Sequence, residues 1–267
     1  MASTRKPGKK PDLATIGGLV FALVGIVGGL LLEGGELGDI SQYTAALIVL
    51  GGTFGAVLIN TPMNVVRGAI SGLGQVFFEK QEDVAAMVDS LIDYATRARK
   101  GGLASLEADA GNATDPFLKK ALMLTVDGTD IQEIRKMLEV EIDLEEQRRE
   151  AEAKVFDAAG GYAPTIGIIG AVMGLIQVMK NLSDIDKVGH GIAVSFVATV
   201  YGVAVANIFF LPAASKIRAR AQQGARLREM ILEGIVGIVE GLNPKLIRSG
   251  LEAYIDPEPA KGKKKAG

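Results

Sequence analysis

A chain of 267 residues with a formal net charge of -2, no Cys, no Trp and one His leaves no room for a disulfide framework, a thiolate nucleophile or a Cys-based metal site. His190 alone cannot hold zinc. Hydrophobic residues make up 48% of the chain and charged residues 22%, but the two kinds are segregated into blocks. A soluble domain mixes them at helical or strand period, whereas a membrane protein separates them.

The first block follows Arg5, Lys6, Lys9 and Lys10 and runs from Leu13 to Leu32. It is longer than the roughly 7–15 apolar residues of a signal peptide, and a retained first span is expected. The others run Thr44–Thr61, Ala158–Met179 and Gly191–Leu211. Each is near the roughly 20 residues that carry a helix across a ~30 Å hydrocarbon core. Lipid offers backbone groups no partner, so these blocks are predicted as helices despite their Val, Ile and Gly content. Tyr and Phe remain as interfacial anchors.

Charge orients the spans. Bases precede the first, and the loop after it holds Glu33, Glu36 and Asp39. Lys216, Arg218, Arg220, Arg226 and Arg228 follow the fourth, while Lys180 and Lys187 balance Asp184 and Asp186 before it. Basic flanks mark the cytoplasmic side. Both termini are expected there, with two short external loops.

The expected fold is therefore an all-α polytopic membrane protein: four transmembrane helices, a large helical cytoplasmic insert between spans two and three, and a cytoplasmic C-terminal helix. The intervals are 1–61 for the first two spans, 62–157 for the insert, 158–211 for spans three and four, and 212–267 for the last helix and tail. In the insert, Gln81–Lys100 is amphipathic through Val84, Met87, Val88, Leu91, Ile92 and Ala95, and Gly101–Gly102 breaks it. Asp115–Pro116 starts a second helix. Ile131–Phe156 reads as one long helix running into span three, with Ile134, Leu138, Ile142 and Leu144 or Gln147 inside. Ile217–Val239 extends span four inward, Asn243–Pro244 ends it, and Pro257–Gly267 reads as a disordered basic tail.

Enzyme signatures are missing: there is no GxxxxGK[ST], no HExxH and no Ser elbow, so no enzyme and no cofactor are expected. Gly51–Gly52–Thr53–Phe54–Gly55 sits inside an uncharged span and reads as helix packing, as do Gly18, Gly25, Gly28 and Gly29. Span three carries Gly160, Pro164, Gly167, Ala171 and Gly174 at three- and four-residue spacing, a nearly side-chain-free face. Pro164 frees a carbonyl one turn earlier, which predicts a bend or loosening, and Thr165 offers a hydroxyl beside it. Span four has a comparable stripe of Ser195, Thr199, Gly202 and Ala206, flanked by Ala198, and Pro212 is expected to end its membrane portion. Such stripes often serve packing alone. No Asp, Glu, Lys, Arg or His lies inside any span, although intramembrane acids are the usual mark of a proton relay. If the chain belongs to an ion pathway, the titrating group must come from a partner helix docked on these small-residue faces.

In the insert, Arg97, Arg99 and Lys100 precede Glu107 and Asp109 across the glycine break. They read either as a solvated face or as a docking surface for a protein of complementary charge. Nucleic acid is not expected, because residues 62–156 hold 12 bases against 18 acids without a basic stripe.

Four stretches in order resemble the MotA family of flagellar stator subunits, relatives of the TolQ and ExbB proton-channel proteins. They are Asp12-Leu-Ala-Thr-Ile-Gly-Gly, Val49-Leu-Gly-Gly-Thr-Phe-Gly-Ala, Ala163-Pro-Thr-Ile-Gly-Ile-Ile-Gly170-Ala-Val-Met-Gly-Leu and Ala198-Thr-Val-Tyr201-Gly-Val-Ala-Val-Ala-Asn. The last two in order, with four spans, are the specific part. The resemblance implies five copies around a dimer of a single-span partner, MotB, whose aspartate carries the ion and whose external domain grips peptidoglycan. It implies rotation of that pentamer against the rotor switch protein FliG. It also implies that Pro164 and Pro212 couple ion passage to motion, that Thr165, Ala198, Thr199 and Tyr201 lie by the ion path, and that Arg99 and Glu107 face the rotor. Gly160, Gly167, Gly170, Gly174 and Gly202 are the packing residues.

Sodium-type members carry a Thr pair where this sequence has Ala198 and Thr199, so the resemblance favours H+ over Na+. Two other functions stand beside this one. An ExbB- or TolQ-type motor would energise envelope processes, but those relatives place one span before the insert and this chain places two. The other is a membrane scaffold that conducts nothing.

Overall fold

The computed structural model describes residues 9–80 and 83–255, so the expected tail from Pro257 lies outside them. In chain order the helices are α1 Leu13–Leu32, α2 Tyr43–Asn60, α3 Met63–Gly72, α4 Gly74–Phe77, α5 Val84–Gly101, α6 Glu107–Asn112, α7 Pro116–Val126, α8 Ile131–Lys180, α9 Ile185–Val205, α10 Leu211–Val239 and α11 Pro244–Leu251. Four of the helical runs are long and apolar enough to cross a membrane, at Leu13–Leu32, Leu37–Asn60, Ile131–Lys180 and Ile185–Val239, and this is a multi-pass membrane protein. One departure from an all-helical fold is a short antiparallel pair, β1 Lys9–Pro11 and β2 Phe78–Lys80, in register Lys9↔Lys80 and Pro11↔Phe78.

The chain forms two units, residues 9–80 with 148–220 and residues 81–147 with 221–267. The sequence intervals do not follow these limits, because α8 and α10 each contribute to both units.

The second of these units has an aliphatic core. Asp83 caps α5 by accepting from the Ala86 N–H at 2.9 Å, and Asp115 caps α7 from Leu118 N–H at 2.9 Å, with Pro116 in the first turn. These caps point the buried faces inward: Val88, Leu91 and Ala95 from α5, Phe117, Leu118 and Leu122 from α7, Ile134, Leu138 and Ile142 from α8, and Met230, Ile231 and Ile235 from α10. The expected inward position of Leu144 or Gln147 fails; Leu144 is 60% exposed and Gln147 is exposed. Two residues advance a helix by about 200°, so Leu144 turns away from the face of Ile142. Helicity also continues past Asn243–Pro244. The α10 helix stops at Val239, Gly241 turns the chain at φ 69°, and Asn243 caps α11 by accepting from Lys245 N–H at 3.0 Å. Ile247 and Leu251 then join the core. Asn–Pro was a start signal, with the proline pre-set for the first turn.

The unit of residues 9–80 and 148–220 carries the apolar spans. Ala45 and Val49 of α2 pack with Val197 and Ala198 of α9. The Tyr201 hydroxyl donates to the Ile40 carbonyl at 2.5 Å and accepts from the Gln42 N–H at 3.3 Å, pinning the turn that starts α2. Helix α3 lies against α8 over a buried acid. Glu152 is only 3% exposed, pairs with Arg149 at 3.0 Å, and fits because Gly68 and Gly72 are opposite: a Cβ at Gly68 would stand 2.9 Å from its carboxylate. Helix α1, by contrast, buries no side chain. The packing expected of Gly18, Gly25, Gly28 and Gly29 is not made within the chain, since nothing lies within 4 Å of a Cβ placed at any of them.

What fixes α1 is its foot. Asp12, 6% exposed, accepts from Thr15 N–H at 3.1 Å, meets Lys216 at 2.5 Å and Arg220 at 2.8 Å on α10, and donates its own N–H to Phe77. Arg220 also pairs with Glu79 of β2. The Lys216 ammonium, helped by Thr15 N–H and Arg220, outweighs the desolvation of Asp12 and holds its carboxyl down to about 2. A carboxyl depressed in the folded state adds stability that is full above its unfolded value, near 4, and drains away as pH falls toward 2. Asp12→Asn should cost about 3 kcal/mol, the scale of a broken buried pair, and should flatten the loss of stability across that pH window. Thermal unfolding in detergent at stepped pH measures both.

Candidate functional site

Two sets of residues predicted to be functional are organised by the structure, one in each unit. The membrane set centres on α8 and α9. Their small-residue faces press on each other within one chain. A Cβ at Gly202 would stand 2.4 Å from the Ala163 carbonyl oxygen, and one at Gly167 2.8 Å from the Ala198 carbonyl oxygen. At Gly174 it would meet Ser195 Oγ at 2.2 Å, at Gly170 the Ala198 methyl at 2.8 Å, and at Gly160 the Leu211 side chain at 2.6 Å. Ala at Gly167, Gly170, Gly174 or Gly202 would force α8 and α9 apart, while at Gly160 the Leu211 side chain of α10 would have to move. Ser195 closes the seam with its hydroxyl, 2.8 Å from the Ala171 carbonyl across the pair and 2.9 Å from Gly191 on its own helix.

The expectation that a partner helix docks on these glycine faces is therefore corrected, because α8 and α9 consume them. The face of α8 left uncovered is a different one, with Gly161, Thr165, Ile168 and Val172 all exposed. Thr165 is the one hydroxyl among these four, and donates to the Tyr162 carbonyl at 2.8 Å. Pro164 is half-buried beside it. Its missing N–H leaves the Gly160 carbonyl without the usual helical donor, yet α8 continues unbroken from Ile131 to Lys180. Tight packing on both sides of the proline holds the helical path.

Ala198 is fully buried at the helix contact, whereas Thr199 is half-buried with its hydroxyl 3.2 Å from the Ser195 carbonyl. The Tyr201 hydroxyl is occupied by the 40–42 turn. Pro212 does not end the helix. A π-turn at Ala206–Phe210 precedes it and α10 runs on from Leu211. A widened turn gives the proline ring relief from the carbonyls one turn back, and such turns recur at functional sites. Below the apolar segment, Arg218 of α10 grips Glu150 at 2.8 and 3.0 Å and also pairs with Asp157, both on α8.

The second set lies where α5 ends. Gly102, at φ 77°, reverses the chain; the turn Leu103–Leu106 buries Leu106 completely and delivers Glu107 as the first residue of α6. Arg97 is absorbed internally, 2.9 Å from Asp93, 2.6 Å from Asp109, and 5.2 Å over the Tyr94 ring. Arg99 and Glu107 are both exposed, and neither pairs with another described residue. The charged cluster read from sequence thus divides into an internal brace, Arg97 with Asp109, and three exposed charges, Arg99, Lys100 and Glu107.

Sequence reasoning missed Asp12 with Lys216 and Arg220, and the cross-helix bond of Ser195. It also passed over Asn207, the exposed amide of the π-turn, which donates to Val203 at 2.9 Å. Thr53, fully buried in α2, has no partner for its hydroxyl among the described residues. Only Asn207 had a visible signal, an amide in an apolar stretch.

Residues 16–102 match the family model for the N-terminal part of motility protein A, and residues 109–230 match that of the MotA/TolQ/ExbB proton channel family. Motility protein A of Bacillus subtilis is 34% identical over 95% of this chain and 93% of its own length. The solved MotAB structure of C. jejuni superposes with a TM-score of 0.88 at 32% identity, covering 93% of this chain and 98% of that one. The flagellar MotAB stator complex of B. subtilis gives 0.83 at 33% identity, covering 91% and 96%. Four spans, the α8–α9 glycine seam and relatives matched end to end agree: the chain belongs to the MotA/TolQ/ExbB proton channel family, among its motility protein A members.

Proposed function

We propose that this chain is the channel-side subunit of an ion-driven flagellar stator, working as a pentamer around a dimer of a MotB-type single-span, peptidoglycan-binding subunit. Relatives solved as MotAB complexes support a partner of that kind. The observation that carries the ion reading is the uncovered face of α8. It holds Thr165 and apolar or glycine positions, and no Asp, Glu, Lys, Arg or His lies in 158–179 or 191–211. A chain built this way lines a path without supplying the titrating group, which comes from the partner's acid. Protonation removes a charge that hydrocarbon penalises, so the neutral partner passes the apolar face and the ionised one rests at polar contacts such as Thr199 or Thr165.

The termini and the unit bearing Arg99 and Glu107 are cytoplasmic, on the basic side of a bacterial inner membrane. There Arg99 and Glu107 meet a FliG-type rotor protein. The ion is the proton. Sodium requires several oxygen ligands at once, Ala198 offers no side-chain oxygen, and its methyl is buried against Gly170. The Gly160 carbonyl that Pro164 leaves without a helical donor and the π-turn before Pro212 are where span movement is coupled to the cytoplasmic unit.

Charge reversal at either Arg99 or Glu107 should lower torque in tethered cells several-fold while leaving membrane assembly and ion leak unchanged. An opposite reversal on the rotor protein should restore part of the loss. Loss of assembly in both single variants would assign the pair to folding. Pro164→Leu should express near normally and abolish most rotation, because it restores the missing donor and crowds the face that includes Thr165; full motility would remove the coupling role. Motor speed at fixed membrane potential should persist without external sodium and collapse with the proton gradient. Strict sodium dependence would reassign the ion.

A further inference from the structure

In the unit of residues 81–147 and 221–267, α8 and α10 leave an open groove of about 240 Å³ between them. Ile142 and Leu232 supply its apolar part, and Glu139, Asp143, Glu229 and Glu233 line it with carboxylates. Arg135 answers part of that charge, 2.9 Å from Glu233 and 3.7 Å from Glu139. Asp143 and Glu229 are exposed and pair with no described residue. Tyr254 completes the lining, and burial together with the Glu229 and Glu233 carboxylates pushes its hydroxyl up. Among the described residues no three of these acids converge as ligands for a metal ion. The negative charge is spread along the groove and suits several separate cations, not one ion that needs its oxygens gathered.

We infer that the occupant of this groove is the chain's own run from Lys261 to Lys265, docked across α8 and α10. The chain arrives at the groove by itself, because Tyr254 forms part of the wall and Ile255 packs on the adjoining core. From Ile255 the backbone to Lys261 spans about 20 Å fully extended, whereas Glu139 and Asp143 lie only about 6 Å apart along α8. Every carboxylate of the groove is therefore within reach of the run. Charge agrees: Lys261, Lys263, Lys264 and Lys265 outnumber Asp256 and Glu258, opposite a groove in which acids outnumber bases. Surface ion pairs are individually weak, but a tether this short sets an effective concentration on the order of millimolar, and several such pairs then act together. The inference goes beyond the stator reading and does not depend on which ion flows.

The test uses the full chain in the assembly it purifies in. The sequence has no cysteine, so Gly262→Cys carries the only spin label. At low ionic strength most of that label should be immobilised. Asp143→Asn combined with Glu229→Gln should cut the immobilised fraction several-fold; both positions are exposed, so neither change removes a core group. Lys263→Glu, Lys264→Glu and Lys265→Glu together should do the same with the groove intact. So should 1 M salt, which shortens the Debye length to about 3 Å. A second arm co-expresses the labelled chain bearing the neutralised groove with an excess of unlabelled chain whose groove is intact, and there the label should stay mobile. A mobile label beside the native groove, or immobilisation that survives Asp143→Asn with Glu229→Gln, would overturn the docking. Immobilisation restored in the mixed assembly would give the groove to the run of a second copy and overturn it equally.

Discussion

The approach of α8 to α9 at Gly167 and Gly202 is the constraint on which the membrane unit depends. Helices in lipid gain nothing from hiding apolar surface, so they associate through close backbone contact and a few hydrogen bonds. With Gly202 facing the Ala163 carbonyl and Ser195 reaching the Ala171 carbonyl, this pair has both. α2 then packs on α9 and is pinned through Tyr201. Because the glycines are spent inside the subunit, the uncovered face of α8 is Gly161, Thr165 and aliphatic side chains.

Span number, the long helix into span three, the glycine break after α5 and the cap at Asp115 were legible because each rests on local rules: blocks of hydropathy, helix propensity and capping. The partnering of the small-residue stripes was not. A stripe says that something comes close, and only the tertiary structure says whether that is the next helix or another protein. The opposite happened at α1, whose glycines have the same appearance and touch nothing. The pairing of Lys9–Pro11 with Phe78–Lys80 joins residues some seventy positions apart, and three-residue strands leave no periodic trace. At Asn243–Pro244 a single signal had two readings, stop and start, and the buried Ile247 and Leu251 decide between them.

At the candidate sites the sequence singled out residues that the structure groups differently. Arg97, Arg99, Glu107 and Asp109 look alike on paper. Arg97 and Asp109 neutralise one another and brace the turn, and Leu106 beneath them sets the direction of α6. Above that base Arg99, Lys100 and Glu107 stand exposed, without a partner among the described residues. Prolines show a similar split. Pro164 sits inside a helix that stays continuous, and Pro212 follows a widened turn; the same missing donor is absorbed by packing in one place and by a change of register in the other.

Helix α1 is apolar on every side, buries no residue, and is tied down at Asp12. A rod fixed at its foot and solvated by lipid along its length takes its inclination from its solvent. Its twenty residues span about 30 Å, close to the hydrocarbon thickness itself, so a thinner bilayer tips it and a thicker one draws it upright at little cost. The thickness of the surrounding bilayer thereby becomes a mechanical setting of this one helix.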